Sequence, residues 1–174
     1  MKKPENMRLV PYKKAVRYLK LDDRFLAYDI VSEQQTEGIF QTFSQKRWMF
    51  PMTLYFESYP DEKDAILNTS LPVEEIPSIK KILHFSIKGF QREPIPRFVI
   101  QIDNEMMLKQ ALEEFFYVAE QNFLFVLTNE QRLLDESEYL TTNSDTMELL
   151  IADYDGQGAI FITSSREDFY AKND

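Results

Sequence analysis

Between Glu148 and Thr163 the chain places two apolar runs around Asp155-Gly156-Gln157-Gly158. Asp-Gly supplies the positive φ of a tight hairpin turn, and Gly158 can take a bulge position. Leu149, Leu150 and Ile151 form one arm, and Ile160, Phe161 and Ile162 form the other. A half-solvated strand alternates apolar and polar residues, whereas a strand apolar throughout must be covered on both faces. The hairpin, Glu148 to Tyr154 and Ala159 to Thr163, is therefore expected at the centre of a sheet. Ser164-Ser165-Arg166-Glu167 after it fits a capping box that opens a short C-terminal helix.

Other segments agree with a sheet of this kind. Residues 25–31 read as a strand, with a helix running on from residues 11–20 as the alternative. Met52, Leu54 and Phe56 alternate with Thr53, Tyr55 and Glu57 over Met52 to Ser58. Lys81 to Phe90 alternates too, with Leu83, Phe85 and Ile87 on one face and Ile82, His84, Ser86 and Lys88 on the other. Arg97 to Asp103 and the apolar Phe123 to Leu127 are further strands. Residues 59–79 carry Pro60, Pro72 and Pro77 and form a connection, with one helical turn at Glu62 to Leu67.

The spacing predicts a helix over 104–121, with Asp103 or Asn104 as N-cap and a stripe of Leu108, Ala111, Leu112, Phe115, Phe116 and Ala119. Residues 11–20 show helical spacing behind Pro11. Glu33 to Gln45 is ambiguous, because Gly38 interrupts an Ile39, Phe40 and Phe43 face. Asn129 to Glu136 reads as a short helix and Ser137 to Thr146 as a polar connection. The sum is one α+β domain over 1–174: a mostly antiparallel sheet of five or six strands with about three helices on one face. Residues 1–20 are expected as a peripheral helix or arm.

Charge is unevenly placed. Residues 1–102 hold 16 Lys and Arg against 13 Asp and Glu, and residues 103–174 hold 4 against 16, a local net of −12. Such a region repels nucleic acid, which needs a basic surface, and attracts basic partners. No apolar stretch approaches a membrane span, and no apolar h-region follows Lys2 and Lys3. The absence of cysteine fits a reducing cytoplasm.

Most chemistry that can be read from sequence needs Cys, His or clustered glycine, and the chain has no Cys, one His (His84) and four Gly. Neither a Cys or His zinc site nor a glycine-rich phosphate loop can be built from them. No G-x-S-x-G occurs. Asp153-Tyr154-Asp155 is a D-x-D whose carboxylates strand alternation would direct to one face, although Asp155 also serves as a turn residue. Catalytic residues are thus unknown, and neither cofactor nor metal is expected.

One local cluster carries interface chemistry. Lys46-Arg47-Trp48-Met49-Phe50-Pro51 combines Trp, Arg and Met, the types enriched at interface centres, and Arg47 could stack on Trp48. The competing reading makes Trp48 a core anchor. The leading expectation is a small, acidic, cytoplasmic binding or inhibitor protein that engages a basic protein partner, for instance as a toxin-neutralising immunity-type protein. Its candidate contacts are Trp48, Arg47, Asp135, Glu136, Glu138, Asp153 and Asp155, with Glu130, Asp145 and Glu148 as further acidic candidates. The alternatives are a carboxylate-based Mg²⁺ or Mn²⁺ enzyme using Asp153, Asp155 and His84, and a self-associating homodimer through the apolar hairpin and Trp48.

Overall fold

The computed structural model describes residues 7–10, 19–20, 25–78, 80–87, 89–130, 140–141, 147–153 and 155–163. In chain order its strands are β1 (Met7–Val10), β2 (Leu19–Lys20), β3 (Leu26–Val31), β4 (Met52–Glu57), β5 (Val73–Ile76), β6 (Lys81–Ser86), β7 (Gly89–Pro94), β8 (Arg97–Ile102), β9 (Phe125–Thr128), β10 (Leu140–Thr141), β11 (Glu148–Asp153) and β12 (Gly158–Thr163). The helices are α1 (Gln35–Gln45), α2 (Lys63–Leu67), α3 (Glu105–Phe115) and α4 (Tyr117–Glu120).

Eight strands join one sheet in the order β1-β3-β12-β11-β9-β4-β8-β5. Every neighbouring pair in it is antiparallel. The fold is α+β, with a wider sheet than expected because the edge strands β1 and β5 are only four residues long. Met7–Val10 pairs with β3, so this part of the N-terminal segment belongs to the sheet and is not a separate arm. The remainder of the helix expected over 11–20 lies outside the described residues, except that Leu19–Lys20 pairs with β10 as a strand. The helices expected near 129–136 and after Ser164 lie largely or wholly outside them.

The doubly apolar hairpin sits inside the sheet, as its composition requires. β11 lies between β12 and β9, and β12 between β11 and β3. Asp155 and Gly156 take φ of 54° and 75°, the left-handed turn that Asp-Gly favours. Leu150 and Phe161 face one layer of core and Leu149, Ile151, Ile160 and Ile162 the other. β4 is buried along its whole length, with Met52, Leu54 and Phe56 on the first layer and Tyr55 on the second.

All four described helices pack on the first layer, through Ile39, Ile66, Leu112, Val118 and their neighbours. Aromatic rings join helix to sheet there. Phe56 stacks on Phe115 at 4.8 Å between centroids, and Phe125 meets Phe43 and Phe116 edge-on at 5.6 and 5.2 Å. Pairs of this geometry add about 0.5–1.5 kcal/mol each beyond their area burial. Asn104 caps α3 by accepting the Met107 N–H at 3.0 Å. Gly38 does not break α1. Ser32 lies against it so closely that an added Cβ would overlap Ser32 Oγ and approach its Cβ to 2.7 Å. This close approach explains a glycine inside a helix.

The β6–β7 hairpin stands apart from the large sheet. Its segment reads as one strand over 81–90, yet the chain reverses after Ser86 and Gly89 takes φ of 93°. The apolar face also points the other way from a core strand. Leu83 is exposed, whereas Ile82, on the His84 side, is half-buried.

Candidate functional site

The Lys46–Pro51 segment leaves the C-terminus of α1 and borders a groove of about 760 Å³. Phe40, Ser44 and Gln45 of α1, Lys46, Arg47, Trp48 and Phe50 of the connection, and Glu105, Met106, Leu108 and Lys109 of α3 line it. Trp48 is 6% exposed and its indole N–H donates to Phe43 O at 3.0 Å. That carbonyl is among the last four of α1, which have no partner inside the helix. Trp48 is therefore a core anchor whose edge forms part of the groove.

Lys46, not Arg47, stacks on Trp48. Its Nζ sits 3.8 Å from the ring centroid and 5.1 Å from that of Phe161. Lys46 takes extended dihedrals at the helix end, so residues 46 and 48 point to the same side and Arg47 to water. Lys46 Nζ also donates to Glu148 Oε2 at 2.6 Å, tying the end of α1 to β11. Burial pushes the Lys46 ammonium below its usual basic range, and the Glu148 carboxylate partly offsets this. Glu148, a candidate partner contact, is thus engaged internally.

The acidic candidates divide. Asp153 ends β11 opposite Gly158 and is half-buried. Asp155 is exposed in the turn, and its left-handed φ ends the strand alternation that would have aligned it with Asp153. Neighbouring Gly156 abuts Ala119 and Glu120, where an added Cβ would come within 3.5 Å of both. The turn therefore sits at the end of the α3–α4 segment away from the groove, beside the exposed Glu120. Asp135, Glu136, Glu138 and Asp145 lie outside the described residues.

On α3 and α4 the carboxylates of Glu105, Glu113 and Glu120 face water. Lys109 reaches Glu113 at 3.7 Å. Among the described residues no group of three or more His, Cys, Asp and Glu side chains could hold a metal ion. Among the described residues no helix is long and apolar enough to cross a membrane.

Two polar clusters were not visible in the sequence. Glu57 and Arg97 are directly opposed on β4 and β8, 3% and 2% exposed, with Arg97 Nη2 donating to Glu57 Oε1 at 2.6 Å. Lys80 Nζ adds a contact at 3.2 Å. Nearby, buried Ser58 donates to Glu62, and Tyr117 hydrogen-bonds with both. Burial, together with the Glu62 charge, raises the Tyr117 phenol above its usual range. Only the alternation of charges on two strands hinted at the first cluster, and nothing local hinted at the second.

No protein-family model, curated protein or solved structure matches this chain.

Proposed function

We propose that the chain is a small cytoplasmic binding protein that captures a basic protein partner on its acidic surface and blocks it, as an inhibitor or a toxin-neutralising immunity-type protein does. The observation that carries this reading is the set of water-facing carboxylates along α3, α4 and the β11–β12 turn: Glu113, Glu120 and Asp155. They belong to a segment, 103–174, with four acids for each base. A one-sign surface raises the encounter rate with an oppositely charged protein and discriminates against like-charged ones. The same charge disfavours a nucleic-acid partner.

The test is affinity capture from the chain's own cell lysate at low and high salt. The wild type is compared with a variant carrying Glu113→Lys, Glu120→Lys and Asp155→Asn. Asparagine tolerates the left-handed conformation at 155, so the third change removes charge without straining the turn. One stoichiometric basic protein is expected, released by salt and not captured by the variant. Capture of no basic protein, or of one indifferent to both salt and charge reversal, overturns the reading.

A further inference from the structure

The groove between α1 and α3 lies apart from the acidic capture surface, since Glu113, Glu120 and Asp155 do not line it. At about 760 Å³ it falls within the range of about 300–1,000 Å³ that small-molecule sites occupy. Its apolar walls are Phe40 of α1, Trp48 and Phe50 of the connection, and Met106 and Leu108 of α3. Part of this wall is fixed before any ligand arrives. Trp48 is held by its indole bond to Phe43 O, and the buried Lys46 beside it by Glu148. Preformed walls spare a ligand the entropy of ordering them. Met106, 77% exposed, is the unbranched side chain that can adapt to what enters.

The charge of the lining is opposite in sign to that of the chain, which is −9 overall. Lys46, Arg47 and Lys109 line the groove against Glu105 alone. Lys46 is occupied by Glu148. Lys109 lies 3.7 Å from Glu113, in an exposed pair too weak to keep the ammonium from another anion. Arg47 is exposed, and among the described residues its guanidinium meets neither a carboxylate nor another hydrogen-bond acceptor. A planar guanidinium matches a carboxylate or sulfonate with two parallel hydrogen bonds. The helix ends do not oppose this field. α3 begins at the groove with Glu105 and Met106, and the Thr42 and Phe43 carbonyls at the end of α1 are taken by the Lys46 N–H and the Trp48 indole. Carboxylates more than about 8 Å away are screened at physiological salt, so an anion in the groove responds to these neighbours.

We propose that the groove binds a small amphipathic anion, a single carboxylate or sulfonate carried on a flat apolar body. The body lies against the Trp48, Phe50 and Leu108 walls, and Arg47, with Lys109, holds the anionic group. A neutral molecule of the same shape gains the apolar contact but leaves Arg47 to water, so the groove discriminates by charge as well as by shape. This assignment does not depend on the basic-partner reading, and its failure would leave that reading untouched.

Titration calorimetry with 2-naphthoate and with its uncharged counterpart 2-naphthamide tests it, on the wild type, Arg47→Ala and Ser44→Phe. Both altered side chains are exposed, and circular dichroism checks that the fold is kept. The chain has one Trp, so a single indole N–H cross-peak in a ¹H–¹⁵N spectrum reports whether the probe reaches Trp48. One naphthoate per chain should bind, shift that cross-peak, and bind about tenfold or more tightly than the amide, as a hydrogen-bonded charge pair predicts. Arg47→Ala should lose that preference by weakening naphthoate while leaving the amide unchanged. Ser44→Phe places a ring in the groove and should abolish binding of both probes. No saturable binding of naphthoate, equal affinity for the two probes, an unmoved indole cross-peak, an Arg47→Ala variant that keeps the preference, or a Ser44→Phe variant that binds like the wild type each overturn the proposal.

Discussion

Replacing Glu148 by Gln removes the counter-charge of Lys46 while keeping the shape of the side chain. The Lys46 side chain is 2% exposed and its Nζ lies 2.6 Å from the lost charge. Deleting one member of a buried ion pair costs about 3–5 kcal/mol, because the other is left charged and poorly solvated. The cost has a ceiling. Lys46 can shed its proton, and moving from its ordinary value of 10.5 to pH 7 costs about 4.8 kcal/mol at about 1.36 per pKa unit. Two features soften the loss: the Glu148 side chain is 33% exposed, so water can reach the site, and the Trp48 face keeps part of the attraction, about 0.5–2 kcal/mol. The expected loss is about 2–3 kcal/mol, or about 1 M in urea midpoint at a slope of about 2–3 kcal/mol/M. Fluorescence of the single Trp, directly under the ammonium, reports the transition. The double change Lys46→Met with Glu148→Gln should lie within about 1 kcal/mol of the wild type, since an apolar replacement of a buried pair is near neutral. The pH dependence has a definite sign. The folded pKa of Lys46 lies below 10.5, so between the two values the unfolded chain holds a proton that the folded chain lacks, and stability rises with pH. Gln at 148 should shift the onset of that rise to lower pH. A loss under about 1 kcal/mol, or a double variant as unstable as the single one, would refute the reasoning.

Three further outcomes follow from named contacts. Glu57→Gln leaves Arg97, 2% exposed, without its charge partner and should cost about 3–5 kcal/mol in chemical unfolding, mostly recovered when Arg97 also becomes Met. Gly38→Ala should lower the thermal midpoint although alanine favours helix by about 1 kcal/mol, because its Cβ meets Ser32, and Ser32→Gly should restore it. A rise for Gly38→Ala alone would contradict the close packing. For Tyr117, the folded phenol keeps its proton above the ordinary value of 10.0, where the unfolded chain loses it. Stability should therefore fall as pH rises above 10.0 through the folded value, and Tyr117→Phe should flatten that fall in melting curves between about pH 9 and 11.

The central sheet was legible because burial on both faces leaves a local mark. β4, β8, β9 and the β11–β12 hairpin lie where their apolar content places them, and α3 begins at its Asn104 cap. β5 escaped notice because Val73–Ile76 has two glutamates between prolines and owes its strand to pairing with β8. The β6–β7 hairpin misled in a different way. Leu83, Phe85 and Ile87 alternate like a core face, yet the hairpin packs on no large sheet and Leu83 and Ile87 meet water. Composition marked the Trp48 segment, but the identity of the stacked cation depended on the direction in which α1 ends. The groove beside it exists only because α1 and α3, far apart in sequence, lie together on the sheet. Asp153 and Asp155 were aligned by strand period until the turn conformation of Asp155 removed the alignment.

The most direct measurement is the association rate of the purified chain with its captured basic partner as a function of ionic strength. It is run with the wild type and with the Glu113→Lys, Glu120→Lys, Asp155→Asn variant. If the acidic surface captures the partner, the wild-type association rate falls steeply with salt, by tenfold or more over a physiological range, and the variant starts slow and barely changes. Equal rates for both proteins at every salt concentration would contradict the claim that this surface is the site of capture.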